Sequence, residues 1–130
     1  MLPTGSGAVS DSLYDRLGGE AAVLAAVSRF YEKVIADEVT SPFFRGLDMD
    51  AQTKKQVAFM TWALGGPEEH RGRDLRAAHR PLRERGLSDV HFDRVATHLG
   101  DTLRELGVEE ALVAEVLGKI GGLRNEVLDR

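Results

Sequence analysis

The chain has no cysteine. Disulfide frameworks, thiolate zinc sites, iron–sulfur clusters and cysteine nucleophiles are therefore excluded. Metal chemistry is left to four histidines and the carboxylates. Long apolar runs are missing too: nothing approaches the ~20 consecutive apolar residues of a membrane span. There is no excess of positive charge. Seventeen Lys and Arg against 21 Asp and Glu give a net charge of −4, which argues against a dedicated nucleic-acid binder. The first residues, Met1 to Gly7, lack a basic region and an apolar run, so they do not read as a signal peptide. A cytoplasmic address is expected. No segment alternates with period two, and there is no internal repeat or low-complexity tract. An all-α fold is expected.

What is present suits one domain. The 130 residues fall within the usual domain size of about 100–150. Residues 1–10 read as a flexible tail and residues 11–130 as a single domain. Ser10 or Asp11 is placed to cap a short helix over 12–17, which Gly18 and Gly19 end. A long helix is expected over 20–36. With Val23 at zero and ~100° per residue, Val27, Phe30, Tyr31, Val34 and Ile35 share one arc. Pro42 and Gly46 bracket one turn carrying Phe43 and Phe44. Asp48 or Asp50 caps a helix over 51–64, stopped by Gly65, Gly66 and Pro67. Residues 67–73 read as a polar loop. Asp74 opens a short helix through His79, whose continuation Pro81 opposes. Ser88 caps the next helix, with Phe92, Val95, Ala96, Leu99, Leu103 and Leu106 inward and Gly107 closing it. A last helix is expected over 109–128, weakened by Gly118, Gly121 and Gly122.

Polar residues on apolar faces carry the chemistry. Tyr31 lies inside the apolar stripe of the long helix, and its hydroxyl needs a partner once buried. A backbone carbonyl would serve, and so would a ligand. Gln52 and Gln56, at i and i+4, flank an otherwise apolar face with Phe59, Met60 and Ala63. A buried carboxamide without partners costs about 1–3 kcal/mol, so something polar should meet them, either another helix or a ligand. Lys55 lies beside this face on its solvent side. His79 shares a face with Leu75 and Leu82. It is either a satisfied core histidine or a metal ligand, and histidine is the main strong axial ligand to haem iron left in a chain without cysteine. Phe30, Phe43, Phe44, Phe59 and Phe92 supply aromatic surroundings. The set suits a flat apolar cofactor with a metal centre, ligated on one side and offered hydrogen-bond donors on the other.

The remaining candidates are weaker. His91 and His98 lie roughly on one helix face and could form part of a non-haem metal site, but no third ligand completes a facial triad. His70 falls in the polar loop. Six arginines between Arg71 and Arg85 resemble an anion patch, but Glu68, Glu69, Asp74 and Glu84 offset most of that charge.

In this order and spacing the chain resembles the group I truncated haemoglobins, the two-on-two globins. The resemblance spans about residues 12–128. It is carried by Ser-Leu-Tyr-Asp-Arg-Leu-Gly-Gly (12–19), Phe-Tyr-Glu-Lys-Val (30–34), Pro-Phe-Phe-Arg-Gly (42–46) and Lys-Gln-Val-Ala-Phe-Met (55–60). Ala-Leu-Gly-Gly-Pro (63–67), Ala-Ala-His (77–79) and Val-His-Phe-Asp (90–93) complete it. It implies an all-α, two-on-two helical sandwich around haem b. It implies His79 as the proximal ligand and Tyr31 as the distal donor to an iron-bound ligand. Gln56 matches a polar residue of the same network, and Gln52 falls where the family varies. Phe44 matches a haem-edge phenylalanine and Lys55 a partner for a haem propionate. Phe59, Leu75 and Phe92 are further candidates to line the cofactor. The stretch between His79 and Phe92 is a few residues longer than in the shortest members, His70 replaces a common tyrosine, and Gly121-Gly122 replaces a usual Ala-Pro.

The implied function is reversible binding of O2, with NO and CO as further ligands. Nitric oxide dioxygenation is implied too, given an external reductase, since no flavin or nicotinamide module fits in this length. Weak peroxidase activity, a carrier or sensor without turnover, and a haem-free helical interaction module stay open. A monomer or weak dimer is expected, with no nucleic-acid or membrane partner.

Overall fold

The structure is a computed structural model that describes residues 12–67 and 74–129, without the side chains of residues 74–78. The expected tail, Ser10, Asp11, His70 with most of its loop, and the side chain of Leu75 lie outside the described residues. Among those described, every regular element is a helix: α1 (Leu13–Leu17), α2 (Glu20–Ala36), a 3-10 turn (Ser41–Phe44), α3 (Met49–Ala63), α4 (Asp74–Glu84), α5 (Asp89–Glu105), α6 (Glu110–Gly121) and α7 (Arg124–Leu128).

α2 is the central strut, packed against α3 on one side and α5 on the other. Its apolar spacing explains this. Val23, Val27, Phe30, Tyr31 and Val34 are all buried along one face. Val34, Val113 and Val116 are fully enclosed, and each such side chain contributes about 1.5–3 kcal/mol of burial. α5 packs on α6, and α4 packs on α7. Ile35 departs from the expected arc and is 47% exposed. It lies about 120° from Val23 around the helix, at the arc's edge, where no neighbour covers it. Leu106 also departs from expectation. It caps the end of α5 and stays exposed.

Helix ends follow local chemistry. Ser12, rather than the expected Ser10 or Asp11, caps α1, its Oγ accepting from Asp15 N at 3.1 Å, so the helix starts one residue later. Asp48 caps α3 by accepting from Asp50 N and Ala51 N, so α3 starts at Met49, slightly earlier than expected. Two glycines then do separate work. Gly65 ends α3 with φ +84°, a left-handed position that suits glycine. At Gly66 a Cβ would come within 2.6 Å of the Tyr14 ring and 2.8 Å of Thr61 Cγ2. Its bare backbone lets α1 seat against the end of α3, where Tyr14 N donates to the Leu64 carbonyl at 2.9 Å.

Two expectations are corrected. Pro81 does not stop α4, which runs to Glu84 with the proline inside it. The missing N–H forgoes one helical hydrogen bond. The helix persists because its end is set further on. Leu87 N bonds the Leu82 carbonyl and Gly86 N bonds the Arg83 carbonyl, both at 3.0 Å, which is a Schellman stop. Arg83 also anchors this helix by donating to the Val127 carbonyl at 2.9 Å. The expected helix over 109–128 is in fact two. The chain breaks at Gly122 and Leu123, where three nearby glycines weaken propagation. The break lets α7 turn back onto α4 and bury Val127.

Candidate functional site

Of the residues singled out by polarity, Tyr31 on α2 and Gln52 on α3 meet directly, while His79 stands on α4. The helical period turns Tyr31 inward, leaving it 5% exposed. Phe30 and Phe44 hold its ring, with centroids at 5.2 and 5.6 Å; the Phe44 contact is edge-on at 67°. Phe44 is presented by the 3-10 turn, which Pro42 starts. Gln52, on the first turns of α3, donates from Nε2 to the Tyr31 hydroxyl oxygen at 3.3 Å. The carboxamide satisfies the oxygen and leaves the phenolic proton to point elsewhere. Burial pushes the Tyr31 phenol above its ordinary value, and the Gln52 bond only partly opposes this. The group is therefore a protonated donor at neutral pH.

Gln56 is half-buried one turn further along the same helix. It makes no hydrogen bond among the described residues, so the bond to Tyr31 comes from Gln52. Phe59 is half-buried, its ring 6.0 Å from that of Trp62. Lys55 projects as an exposed residue on α3, and His79 is half-buried on α4. α3 and α4 do not pack substantially on one another. The half-buried apolar residues of α3 (Val57, Phe59 and Trp62) pack against the edge of the core. Phe92 is buried, with the Arg124 guanidinium 4.5 Å above its ring centroid. Arg124 in turn pairs with Asp89 at 2.9 Å and Asp93 at 2.5 Å.

Sequence reading missed a second polar centre. Asp37, immediately after α2, has a side chain only 5% exposed. Its carboxylate accepts from Arg94 Nε at 2.8 Å and Nη2 at 3.1 Å, from His98 Nε2 at 2.7 Å and from Val39 N at 2.9 Å. The Arg94 guanidinium, the Val39 amide and the His98 ring hold its pKa well below the usual carboxylate range, against the opposing effect of burial. The signal was present in Arg94 and His98, which stand one turn apart on α5. His91 lies elsewhere, its Nδ1 accepting from Ser88 N at 3.0 Å. His91 and His98 thus serve separate structural tasks. Among the described residues no cluster of three or more His, Asp or Glu could hold a metal ion.

The described residues include a half-buried imidazole on α4, a buried phenol on α2 and the half-buried rings of Phe44 and Phe59. This is the residue chemistry of a globin. The family model for bacterial-like globins matches residues 12–129. A group 1 truncated haemoglobin of Chlamydomonas moewusii is 48% identical over 118 residues, covering 91% of this chain and 68% of that protein. The group 1 truncated haemoglobin of Tetrahymena pyriformis is 42% identical over 119 residues, covering 92% and 96% respectively. Among solved structures, the 2/2 haemoglobin of Synechococcus sp. PCC 7002, in the cyanomet state with covalently attached haem, superposes with a TM-score of 0.86. It is 50% identical and covers 92% of this chain and 99% of that chain. The chain belongs to the bacterial-like globins and, within them, to the group 1 truncated haemoglobins with their two-on-two helical fold. It is a haem-binding globin that takes small ligands. No helix among the described residues is long and apolar enough to cross a membrane.

Proposed function

We propose that this globin binds haem b through His79 and binds O2 reversibly, with Tyr31 as the ligand-stabilising donor and Gln52 as its support. We further propose that it converts nitric oxide to nitrate with O2 as the oxidant and source of both added oxygen atoms, an external reductase supplying the one electron per turnover. Haem b would supply an iron centre that takes O2, CO or NO and the redox chemistry of that conversion.

The chain's own residues do the rest. His79 offers an imidazole nitrogen from α4. Tyr31 keeps its proton at neutral pH, since a phenol ionises only near pH 10 and burial pushes it higher still. Gln52 fixes the phenol oxygen and so aims the hydroxyl. A donor held ready in a water-poor pocket stabilises negative charge on a bound ligand without reorganising, and so slows ligand release. Gln56, half-buried one turn further on, would be a second polar group for a bound ligand. Phe44, Phe59 and Phe92 would keep water out, and Lys55, exposed on α3, would meet a propionate. Residues 11–130 act as one domain, as a cytoplasmic monomer or weak dimer.

The observation that carries this reading is the buried Tyr31 hydroxyl, whose oxygen is satisfied by Gln52 while its proton stays available. The test is the visible spectrum of the purified protein. A Soret band that shifts on reduction and again with carbon monoxide is expected, and His79→Ala should lose the deoxy form of that spectrum. A colourless protein that ignores added haemin would instead identify a helical interaction module. Rapid nitrate formation with a reductase separates an enzyme from a carrier or sensor.

A further inference from the structure

Among the described residues, one side chain ties the end of α4 to the 3-10 turn that packs beside Tyr31. Arg85, the residue after the last of α4, reaches to the 3-10 turn. Its Nη2 donates to the Pro42 carbonyl at 2.5 Å, and its Nη1 lies 3.5 Å from the Phe43 carbonyl. Both acceptors are main-chain atoms, so the contact fixes the backbone of the turn rather than one rotamer. Arg85 is itself fixed, because the Schellman stop at Gly86 locks the end of α4. The next residue of the turn, Phe44, lies edge-on against Tyr31 at 5.6 Å, and Tyr31 meets Gln52 at 3.3 Å.

We propose that Arg85 is a positioning residue. It ties the 3-10 turn to the end of the His79 helix and, through Phe44, holds the Tyr31 hydroxyl in place. This deepens the reading of Tyr31 as the distal donor and rests on it. A charge-assisted donor to a neutral carbonyl is among the stronger hydrogen bonds. The guanidinium offers two N–H groups in a rigid fork, which an ammonium cannot reproduce.

The test uses the haem-reconstituted protein and carbon monoxide as the probe, because its infrared stretching band follows the polarity of the donor beside it. Arg85→Ala, Arg85→Lys and Tyr31→Phe are compared, each with its urea midpoint. Arg85→Ala should move or split the band in the direction of Tyr31→Phe, by a smaller amount, while the urea midpoint stays near wild type. Arg85→Lys should fall between wild type and Arg85→Ala. Arg85→Ala in the Tyr31→Phe background should add no further shift. A band unmoved by Arg85→Ala but moved by Tyr31→Phe would overturn the positioning role alone. A band unmoved by Tyr31→Phe would overturn the donor reading and the positioning role with it. If Arg85→Ala does not fold, Arg85→Lys decides: a shifted band supports the role and a wild-type band overturns it.

Discussion

Asp37 and Tyr31 sit at the same end of α2, are both buried, and are used in opposite ways. Asp37 meets α5, where every lone pair it presents inward finds a donor: Arg94, His98 or Val39 N. Nothing is left over for chemistry, and the carboxylate is spent on joining two helices. Tyr31 meets α3, where its oxygen accepts one amide and its proton is free. A fully satisfied buried polar group is a fastener, whereas a half-satisfied one is a tool. The packing repeats the contrast. α2 and α5 close on each other, while among the described residues α3 and α4 share no such packing.

The largest expected effect separates the two groups by function. Tyr31→Phe removes a charge-assisted donor contributing about 1.5–3 kcal/mol, so oxygen should dissociate about ten- to a hundredfold faster in stopped flow. The urea midpoint should barely move, and an unchanged off-rate would remove Tyr31 from the role. Asp37→Ala should do the reverse. It leaves Arg94, His98 and the Val39 amide without their acceptor and should cost about 2–3 kcal/mol of unfolding free energy, with ligand off-rates near wild type. An off-rate shifted as far as that of Tyr31→Phe would collapse the distinction between fastener and tool.

The next prediction uses pH. Asp37 has a folded pKa pushed below its ordinary value of about 3.9. Its contribution is therefore fully present above that value and is lost as pH falls below it toward the folded pKa. Acid titration of stability should show a decline below about pH 4 that Asp37→Asn lacks. Identical acid slopes in the two proteins would show that other carboxylates set the limit. The smallest effect is expected for Gln52→Leu. It removes the aim of the hydroxyl but not the donor, so the oxygen off-rate should rise by less than for Tyr31→Phe. Equal effects would mean that Gln52 itself meets the ligand.

Much of this architecture was legible in local sequence. The bounds of α2 follow from its apolar spacing and its glycine start, and Asp48 and Gly65 mark ends that depend on a few neighbouring residues. Where expectation failed, a distant contact had won. Pro81 is a strong local breaker, yet α4 runs past it, with its end at Gly86 and its side anchored to α7. The last helix reads as continuous by period, yet its glycines yield to the packing of α7 on α4. Ile35 obeys the pattern and is exposed, because a pattern names an arc and only neighbours decide its width.

The site divides the same way. Tyr31, Gln52, Gln56 and His79 were recognisable as polar groups on apolar faces, because helical period and polarity are properties of single segments. Which amide meets the phenol was not. The 3.3 Å bond from Gln52 to Tyr31 depends on how α2 crosses α3, and no periodicity within either helix contains that crossing. Asp37 with Arg94 and His98, and Arg85 on the Pro42 carbonyl, likewise join residues far apart in the chain. The sequence by itself determined the helices, their apolar faces and the family to which the chain belongs, since these are local or cumulative properties. Only the tertiary structure decided which buried polar group is satisfied and which keeps a proton to give, because that is settled by the partner each group meets across a helix interface.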